Sequence, residues 1–271
     1  MEYAEIAPQK ALANYIQCFW TLRASRPAIS AGTEPVMPDG RVEIIFNLAD
    51  PFRRHHENGA IEVQPLSIVA GQMRSFAVIE PSGAIDLFGV RFRYAGAFAF
   101  FDIPMVELTG HIPALAEVWK GVGFEIEDRI REAGSTLKRK EILEAVLIAQ
   151  LRRGPKPDPV AEAAADIISK NSGLIAIDAL ADAMGVNGRR LERRFQQYIG
   201  LSPKRFSRIV RFQAFVGAAG SRPPRGILDT GLSFGYYDQA HMIREFREFS
   251  GKTPAAFFGG EHRLSEVFIS A

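Results

Sequence analysis

The sequence contains a single cysteine, Cys18, so it can form neither a disulfide within the chain nor a cysteine-rich metal site. It has no apolar run near the roughly 20 residues that a membrane-spanning helix needs. Its N-terminus, MEYAEIAPQK, contains acids and lacks the basic and apolar segments of a secretion signal. These absences predict a protein of the reducing cytoplasm with no membrane partner.

Signs of catalysis and of a metal are also scarce. His55 and His56 are adjacent in a polar loop, and the other histidines are scattered, so the spacings of known metal sites do not occur. No local motif of a Ser-His-Asp or Cys-His enzyme occurs either. The sequence therefore predicts no catalytic residue, no metal and no cofactor. Cys18 is interpreted as a small buried apolar residue.

The charge of the chain is small in total but unevenly placed. The formal net charge is +2, yet the part from residue 156 onward holds 16 Lys and Arg against 12 Asp and Glu. The densest segment, residues 187–211, holds eight basic residues and one acid, Glu192. Such a concentration is typical of a solvated surface or of a surface that attracts a polyanion, and charge alone leaves both interpretations open.

The first half is rich in β-branched and aromatic residues, arranged in short runs between turn-forming residues such as MPDG and EPSG. The predicted strands lie at 42–48, 66–71, 75–80 and 84–93. Short strands at this spacing favour a β-sandwich or a small barrel. The pattern becomes helical after residue 94, with the clearest helix predicted at 137–154.

A proline-rich stretch, RRGPKPDP at 152–159, is the best candidate for a domain boundary. Its three prolines and its glycine end one helix and resist the start of another. The predicted fold class is α+β, with a β-sandwich domain and its trailing helices followed by an all-α domain. The predicted division is 1–154 for the β-rich domain, 155–160 for the linker, 161–260 for the helical domain and 261–271 for a tail.

The helical half contains an internal repeat. Shifted by 51 residues, NGRRLERRFQQYIGLSPKRF at 187–206 matches DQAHMIREFREFSGKTPAAF at 238–257 in nine chemically similar positions. A short helix and a glycine-containing turn precede each copy, and the turn is one residue longer in the second copy. Helix, short turn and helix is the helix-turn-helix arrangement.

The side-chain pattern of each copy fits that motif. Apolar residues spaced by four and three predict one buried stripe on each second helix: Leu191, Phe195 and Tyr198, then Met242, Phe246 and Phe249. The opposite face carries the polar and basic side chains that can pair with base edges in the major groove. An ordinary helical bundle with two similar hairpins is the alternative interpretation.

Residues from about 158 to 258 resemble the DNA-binding domain of the AraC/XylS transcriptional regulators. The resemblance rests on IDALADAMGVNGRRLERRFQQYIGLSPKRF and on the more diagnostic DTGLSFGYYDQAHMIREFREFSGKTPAAFF. It implies seven helices in two helix-turn-helix subdomains, joined by a helix at about 203–219. Recognition helices at about 188–199 and 239–249 are then expected to enter successive major grooves of double-stranded DNA.

The N-terminal half is similar to a sensor domain that precedes such modules. This resemblance rests on MPDGRVEIIFNL and GQMRSFAVIEPSGAIDLFGVRFRYAGAFAFF. It implies a cupin-like β-fold with trailing helices that senses a ligand or dimerises. Besides DNA, it leaves open three partners: RNA polymerase, a small-molecule effector and a second copy of the chain.

The resemblance also assigns candidate DNA contacts. The positions that match the base-contacting ones are Gly188, Arg189, Glu192 and Arg193 in the first helix and Gln239, Ala240 and Arg244 in the second. Gly188 and Ala240 have no long side chain, and Glu192 can accept a hydrogen bond from cytosine or brace an arginine. Position and charge favour phosphate contacts for Arg190, Lys204, Arg205 and Arg208.

Two further residues of this half are singled out by their positions. Gly231 stands where the family usually has alanine, and a glycine inside a helix costs about 1 kcal/mol. His241 is interpreted as a packing or backbone-contacting residue rather than a metal ligand. The alternative function, from a different class, is a small-molecule-binding or cupin-like enzyme domain fused to a helical partner module.

Overall fold

The computed structural model describes residues 1–24, 32–220 and 227–259. It confirms the α+β architecture, with antiparallel strands in the first part of the chain and helices in the rest. The predicted tail at 261–271 lies outside the described residues.

Nine strands are described: β1 (Glu2–Ile6), β2 (Ile16–Ala24), β3 (Glu34–Val36), β4 (Glu43–Asn47), β5 (Phe52–His55), β6 (Ile61–Val63), β7 (Ser67–Ala70), β8 (Ala77–Pro81) and β9 (Ile85–Phe92). They form a five-stranded sheet in the order β1-β2-β9-β4-β7 and a four-stranded sheet in the order β3-β8-β5-β6. The four predicted strands correspond to β4, β7, β8 and β9. The other five strands were not predicted.

The central strands are apolar on both faces because the five-stranded sheet has a neighbour on each side. Trp20 and Leu87 face the four-stranded sheet, where they pack with Phe52. Phe19 and Phe88 face the other way and pack with side chains of the trailing helices. A strand buried on both faces reads as a continuous apolar run, which is why CFWTL at 18–22 shows no alternation.

The trailing segment of the first half begins with two 3-10 turns, Gly96–Phe100 and Met105–Leu108. Three helices follow: α1 (Leu115–Val118), α2 (Gly123–Glu132) and α3 (Thr136–Leu151). The apolar stretch after residue 94 is therefore a 3-10 turn rather than an α-helix, and α2 was not predicted. The helix predicted at 137–154 is α3, whose N-cap Ser135 accepts a hydrogen bond from the Lys138 N–H at 3.2 Å.

Seven α-helices occupy the described part of the second half, as the resemblance implies. They are α4 (Pro159–Lys170), α5 (Ile177–Ala183), α6 (Gly188–Tyr198), α7 (Pro203–Gly220), α8 (Ile227–Ser233), α9 (Gln239–Ser250) and α10 (Pro254–Phe258). Asp158 caps α4 with Pro159 at its first position, and Ser202 caps α7 with Pro203 at its first position.

The β-rich part packs directly against the helices. The Tyr94 ring meets the Phe206 ring of α7 with centroids 5.0 Å apart, and the Tyr94 hydroxyl donates to Ser169 of α4 at 2.7 Å. Phe98 meets Tyr198 of α6 with centroids 4.5 Å apart. Met37 and Tyr94 belong to the same buried cluster as the helices α4 to α10. The two parts of the chain are thus joined by side-chain packing as well as by the linker.

Gly200, two residues after the end of α6, lies at one of these contacts. Its backbone is left-handed, with φ of 96°, and the Thr109 hydroxyl donates to its carbonyl at 2.6 Å. A Cβ at Gly200 would lie 2.8 Å from the carbonyl oxygen of Met105. Gly185, before α6, is also left-handed at 64°, but a Cβ there would meet nothing within 4 Å.

We therefore expect Gly185→Ala and Gly200→Ala to differ in stability. In both variants, an alanine in the left-handed conformation lowers the free energy of unfolding by about 1 kcal/mol. Gly200→Ala also overpacks the contact with the β-rich part, so its total loss should be about 2–4 kcal/mol. Urea denaturation of the two variants and the parent measures the difference. Equal losses in the two variants would contradict a close contact at Gly200.

Candidate nucleic-acid interface

The two hairpins, α5–α6 and α8–α9, are built from the same parts at the same repeat positions. The Asn187 side chain accepts from the Arg190 N–H at 2.9 Å, and the Asp238 side chain accepts from the His241 N–H at 2.7 Å. A left-handed glycine follows each second helix: Gly251 is the C-cap of α9, and Gly200 lies two residues after the end of α6. The sequence repeat is therefore a structural repeat.

The apolar stripes face inward as predicted. Leu191 and Phe195 of α6 have no exposed surface, and the same is true of Phe246 and Phe249 of α9. Met242 is 3% exposed. Tyr198 is only half-buried and packs on Phe98 of the β-rich part. Each second helix thus buries one stripe and leaves the opposite face to solvent.

The candidate base-contacting residues lie on those solvent faces. Gly188 has no side chain, and of the other six candidates five are exposed: Arg189, Arg193, Gln239, Ala240 and Arg244. The sixth, Glu192, is half-buried and accepts a hydrogen bond from the Gln196 amide at 3.0 Å. Within the described residues, no carboxylate lies within ion-pair distance of Arg189, Arg193 or Arg244. These arginines are therefore available to an external anion.

The four candidate phosphate contacts divide into two pairs. Arg190 and Lys204 are exposed, and neither has an ion-pair partner in the part of the chain that the structure describes. Arg205 and Arg208 of α7 both bind the Glu248 carboxylate of α9. Arg205 also donates to the backbone carbonyl of Arg74. A phosphate contact by Arg205 or Arg208 would have to share or replace these internal bonds.

Glu245 of α9 is the least exposed carboxylate of this network. Its side chain is 1% exposed and lies 2.7 Å from Nε of Arg208 and 2.8 Å from an Nη of Arg211. Glu248 is more exposed; burial alone would raise its pKa, but hydrogen bonds from Arg208 and Arg205 outweigh that effect and lower it. This network was not predicted from the sequence, although the basic residues three apart on α7 were a signal of it.

Three residues in or next to α9 complete the second hairpin. His241 Nδ1 accepts from the Tyr237 N–H at 3.2 Å, which agrees with a backbone-contacting histidine. Tyr237 itself is 87% exposed just before α9 and was not singled out from the sequence. Packing explains the glycine at position 231, because a Cβ there would overlap Sδ of Met242. The expected weakness of α8 is thus offset by its close approach to α9.

A second candidate site is a cavity of about 120 Å³ inside the β-rich part. Its lining is mostly apolar and includes two segments that border the helices, residues 36–41 and 70–77. Arg41 lines it as well, with its guanidinium 3.6 Å from the centre of the Tyr94 ring. Burial lowers the pKa of Arg41. This cavity therefore adjoins the side chains that contact α7.

The described residues lack the features of a metal site and of a membrane-spanning helix. Residues 1–24, 32–220 and 227–259 contain no group of three or more His, Cys, Asp or Glu that could hold a metal ion. Within those ranges, no helix combines the length and the apolar character of a membrane-spanning segment. Burial raises the pKa of the Cys18 thiol to about 12, so this cysteine stays protonated at neutral pH.

Two family models match the chain. Residues 180–259 match a helix-turn-helix domain of the AraC type, and residues 4–113 match a domain of unknown function (DUF6597). No curated protein matches the chain.

Solved structures of ToxT from Vibrio cholerae are similar in fold. A 1.65 Å structure is 9% identical with a TM-score of 0.51, over 89% of this chain and 98% of that one. A lysine-to-alanine variant of apo ToxT from strain SCE256 is 10% identical with a TM-score of 0.50, over 89% and 97%. These values establish a shared fold. The two family matches, and not these structures, show an AraC-type helix-turn-helix domain behind a DUF6597 domain, and the chain is a DNA-binding regulator.

Proposed function

We propose that the protein is a cytoplasmic, sequence-specific transcription factor whose two recognition helices, α6 and α9, enter successive major grooves of one operator. The observation that carries the proposal is the repeated hairpin, with its capped second helix and outward arginines. Successive major grooves on one face of B-DNA are about 34 Å apart, which sets the expected half-site separation. The protein acts by binding, with no catalytic step.

The proposed division of labour follows the predicted boundaries. Residues 161–260 bind DNA, 155–160 link, and 1–154 sense a ligand or dimerise. Arg190 and Lys204, exposed and unpaired within the described ranges, are the preferred phosphate contacts. RNA polymerase and a second copy of the chain are further proposed partners.

Arg193→Ala and Arg244→Ala test the base contacts of the two hairpins. Each should weaken binding to a selected operator by about 1–3 kcal/mol, because a bidentate arginine–guanine contact is worth that much. Binding to unrelated duplex DNA should fall much less, since it depends on charge alone. Fluorescence anisotropy with both duplexes gives the two affinities.

Arg153→Ala is the matched control, because it removes an exposed arginine from the end of the β-rich part. It should leave the operator affinity within about twofold of the parent, as expected for a charge remote from the bases. Unchanged operator binding in both hairpin variants would contradict the assignment of α6 and α9 as DNA readers.

The two N-caps permit a charge swap that keeps the fold. Asp238→Asn and Asn187→Asp each retain a side-chain oxygen that caps the helix, so stability should change by no more than about 0.5 kcal/mol. Asp238→Asn removes a negative charge from the DNA-facing end and should strengthen operator binding several-fold at low salt, roughly as one added phosphate contact does. Asn187→Asp should weaken it.

The swap is measured by denaturation and by operator affinity at two salt concentrations. The effect on affinity should shrink as salt rises, because screening shortens the range of the charge. Effects of the same sign in both variants would contradict a DNA-facing position for the two caps.

We further propose that the cavity in the β-rich part binds a small-molecule effector. Its volume of about 120 Å³ is close to that of an engineered protein cavity, about 150 Å³, that binds benzene. The body of the effector is therefore apolar and ring-sized. The position of the cavity beside Tyr94 and α7 gives it a short route to the DNA-binding part.

A thermal-shift screen of the full chain tests the effector. A ligand present at 100 times its Kd should stabilise the protein by about 2.7 kcal/mol. Ala77→Leu, which fills the cavity, should abolish the shift, whereas Ala145→Leu on the exposed face of α3 should not. A shift that survives Ala77→Leu would put the ligand elsewhere, and no shift with any compound would favour regulation through protein contacts.

A further inference from the structure

The two recognition helices are anchored at the same repeat position but to different partners. Glu245 of α9 is equivalent to Arg194 of α6 under the shift of 51 residues. Arg194 pairs with Asp158, the N-cap of α4; α4 and the hairpin α5–α6 form the first unit, and α8 to α10 form the second. Glu245 instead pairs with Arg208 and Arg211 of α7, the helix that joins the two units. Only the ion pairs of Glu245 therefore connect a recognition helix to the helix that joins the two units.

The contacts between α7 and α9 form a continuous set of ion pairs, which we name the α7–α9 cluster: Arg205, Arg208, Arg211, Glu245 and Glu248. The Glu245 carboxylate accepts from two guanidinium groups at 2.7–3.3 Å. Planar guanidinium groups bind a carboxylate in a fixed orientation, so these bonds restrict rotation of α9 about its own axis and its sliding along α7.

Contacts between uncharged aromatic rings also hold α9 on α7. Phe212 of α7 meets Phe246 and Phe249 with ring centroids 5.1 and 5.3 Å apart, and Phe215 meets Phe246 at 5.9 Å. Apolar packing of this kind is strong but tolerates small shifts, whereas paired hydrogen bonds specify one geometry. Loss of the charges should therefore loosen the placement of α9 before it unfolds the unit.

We propose that Glu245 is a positioning residue that sets the separation and rotation of the two recognition helices, and thereby the half-site spacing that the protein accepts. Its buried carboxylate does not touch DNA. It acts through Arg208 and Arg211, and Glu248 supports it through Arg205 and Arg208. This inference rests on the proposed function, because it concerns how two DNA-reading helices are placed.

The test begins with duplexes selected from random-sequence DNA by the full-length protein. From the selected operator, a series is made in which the distance between the two half-sites changes by one or two base pairs in either direction. One base pair turns the second half-site by about 35° and moves it about 3.4 Å. The parent protein should lose affinity about tenfold at a one-base-pair change, because the second helix loses a base contact.

Glu245→Gln keeps the shape of the side chain and removes its charge. We expect it to reduce the spacing penalty to under about threefold, through weaker binding at the preferred spacing and relatively stronger binding at its neighbours. Glu248→Gln should relax the spacing in the same direction by a smaller factor. A merely destabilised protein would bind all spacings more weakly and keep the same preference.

Arg194→Gln is the matched control, since it breaks the equivalent anchor inside the first unit. It should lower stability and affinity but leave the spacing preference of the parent. If Glu245→Gln does not fold, the spacing profile of Glu248→Gln alone tests the positioning role.

Each outcome has a distinct meaning. A spacing profile identical to that of the parent in the folded Glu245→Gln variant, or in Glu248→Gln where Glu245→Gln does not fold, overturns the positioning role. An equal relaxation in Arg194→Gln also overturns it. Failure of the parent to enrich any duplex sequence would instead contradict the proposed function itself.

Discussion

The packing of α7 is the constraint on which the rest of the helical part depends. Phe206 on one side meets Phe195 of α6 and Tyr94 of the β-rich part. Phe212, one and a half turns later, meets the aromatic stripe of α9. Because a single helix carries both contacts, a displacement of α7 moves both recognition helices together. The distance between the two DNA-reading faces is thus a property of α7 and its side chains.

The same helix links the DNA-reading faces to the cavity. Gln213 of α7 donates to the Pro38 carbonyl at 2.7 Å, and Gly40 lies close to the Phe206 ring. Both N-terminal residues belong to the segment 36–41, part of which lines the cavity. A ligand that displaces this segment would shift α7 directly, because the two are in contact. The proposed control of DNA binding by an effector therefore needs only direct packing and no mobile hinge.

The sequence predicted the helical part well and the β-rich part less completely. Caps, prolines and glycines mark the ends of α4, α6, α7 and α9, and local patterns of this kind survive folding unchanged. In the β-rich part, β2 was missed because both of its faces are buried, which removes the alternation that identifies a strand. The inward position of Glu245 was missed for a related reason. In the sequence, a buried acidic residue cannot be distinguished from an exposed one, because its arginine partners lie on another helix.

Because of those internal ion pairs, the two hairpins differ in the positive charge that they present to an external anion. Three basic residues of α7 are bound to α9, so they contribute less to the field outside the protein than their number suggests. The outward arginines of α6, Arg189, Arg190 and Arg193, have no such partners among the described residues. In the proposed complex, the first hairpin therefore supplies most of the long-range attraction to phosphate. The second hairpin, with α9 positioned by Glu245, contributes mainly through its placement on the DNA.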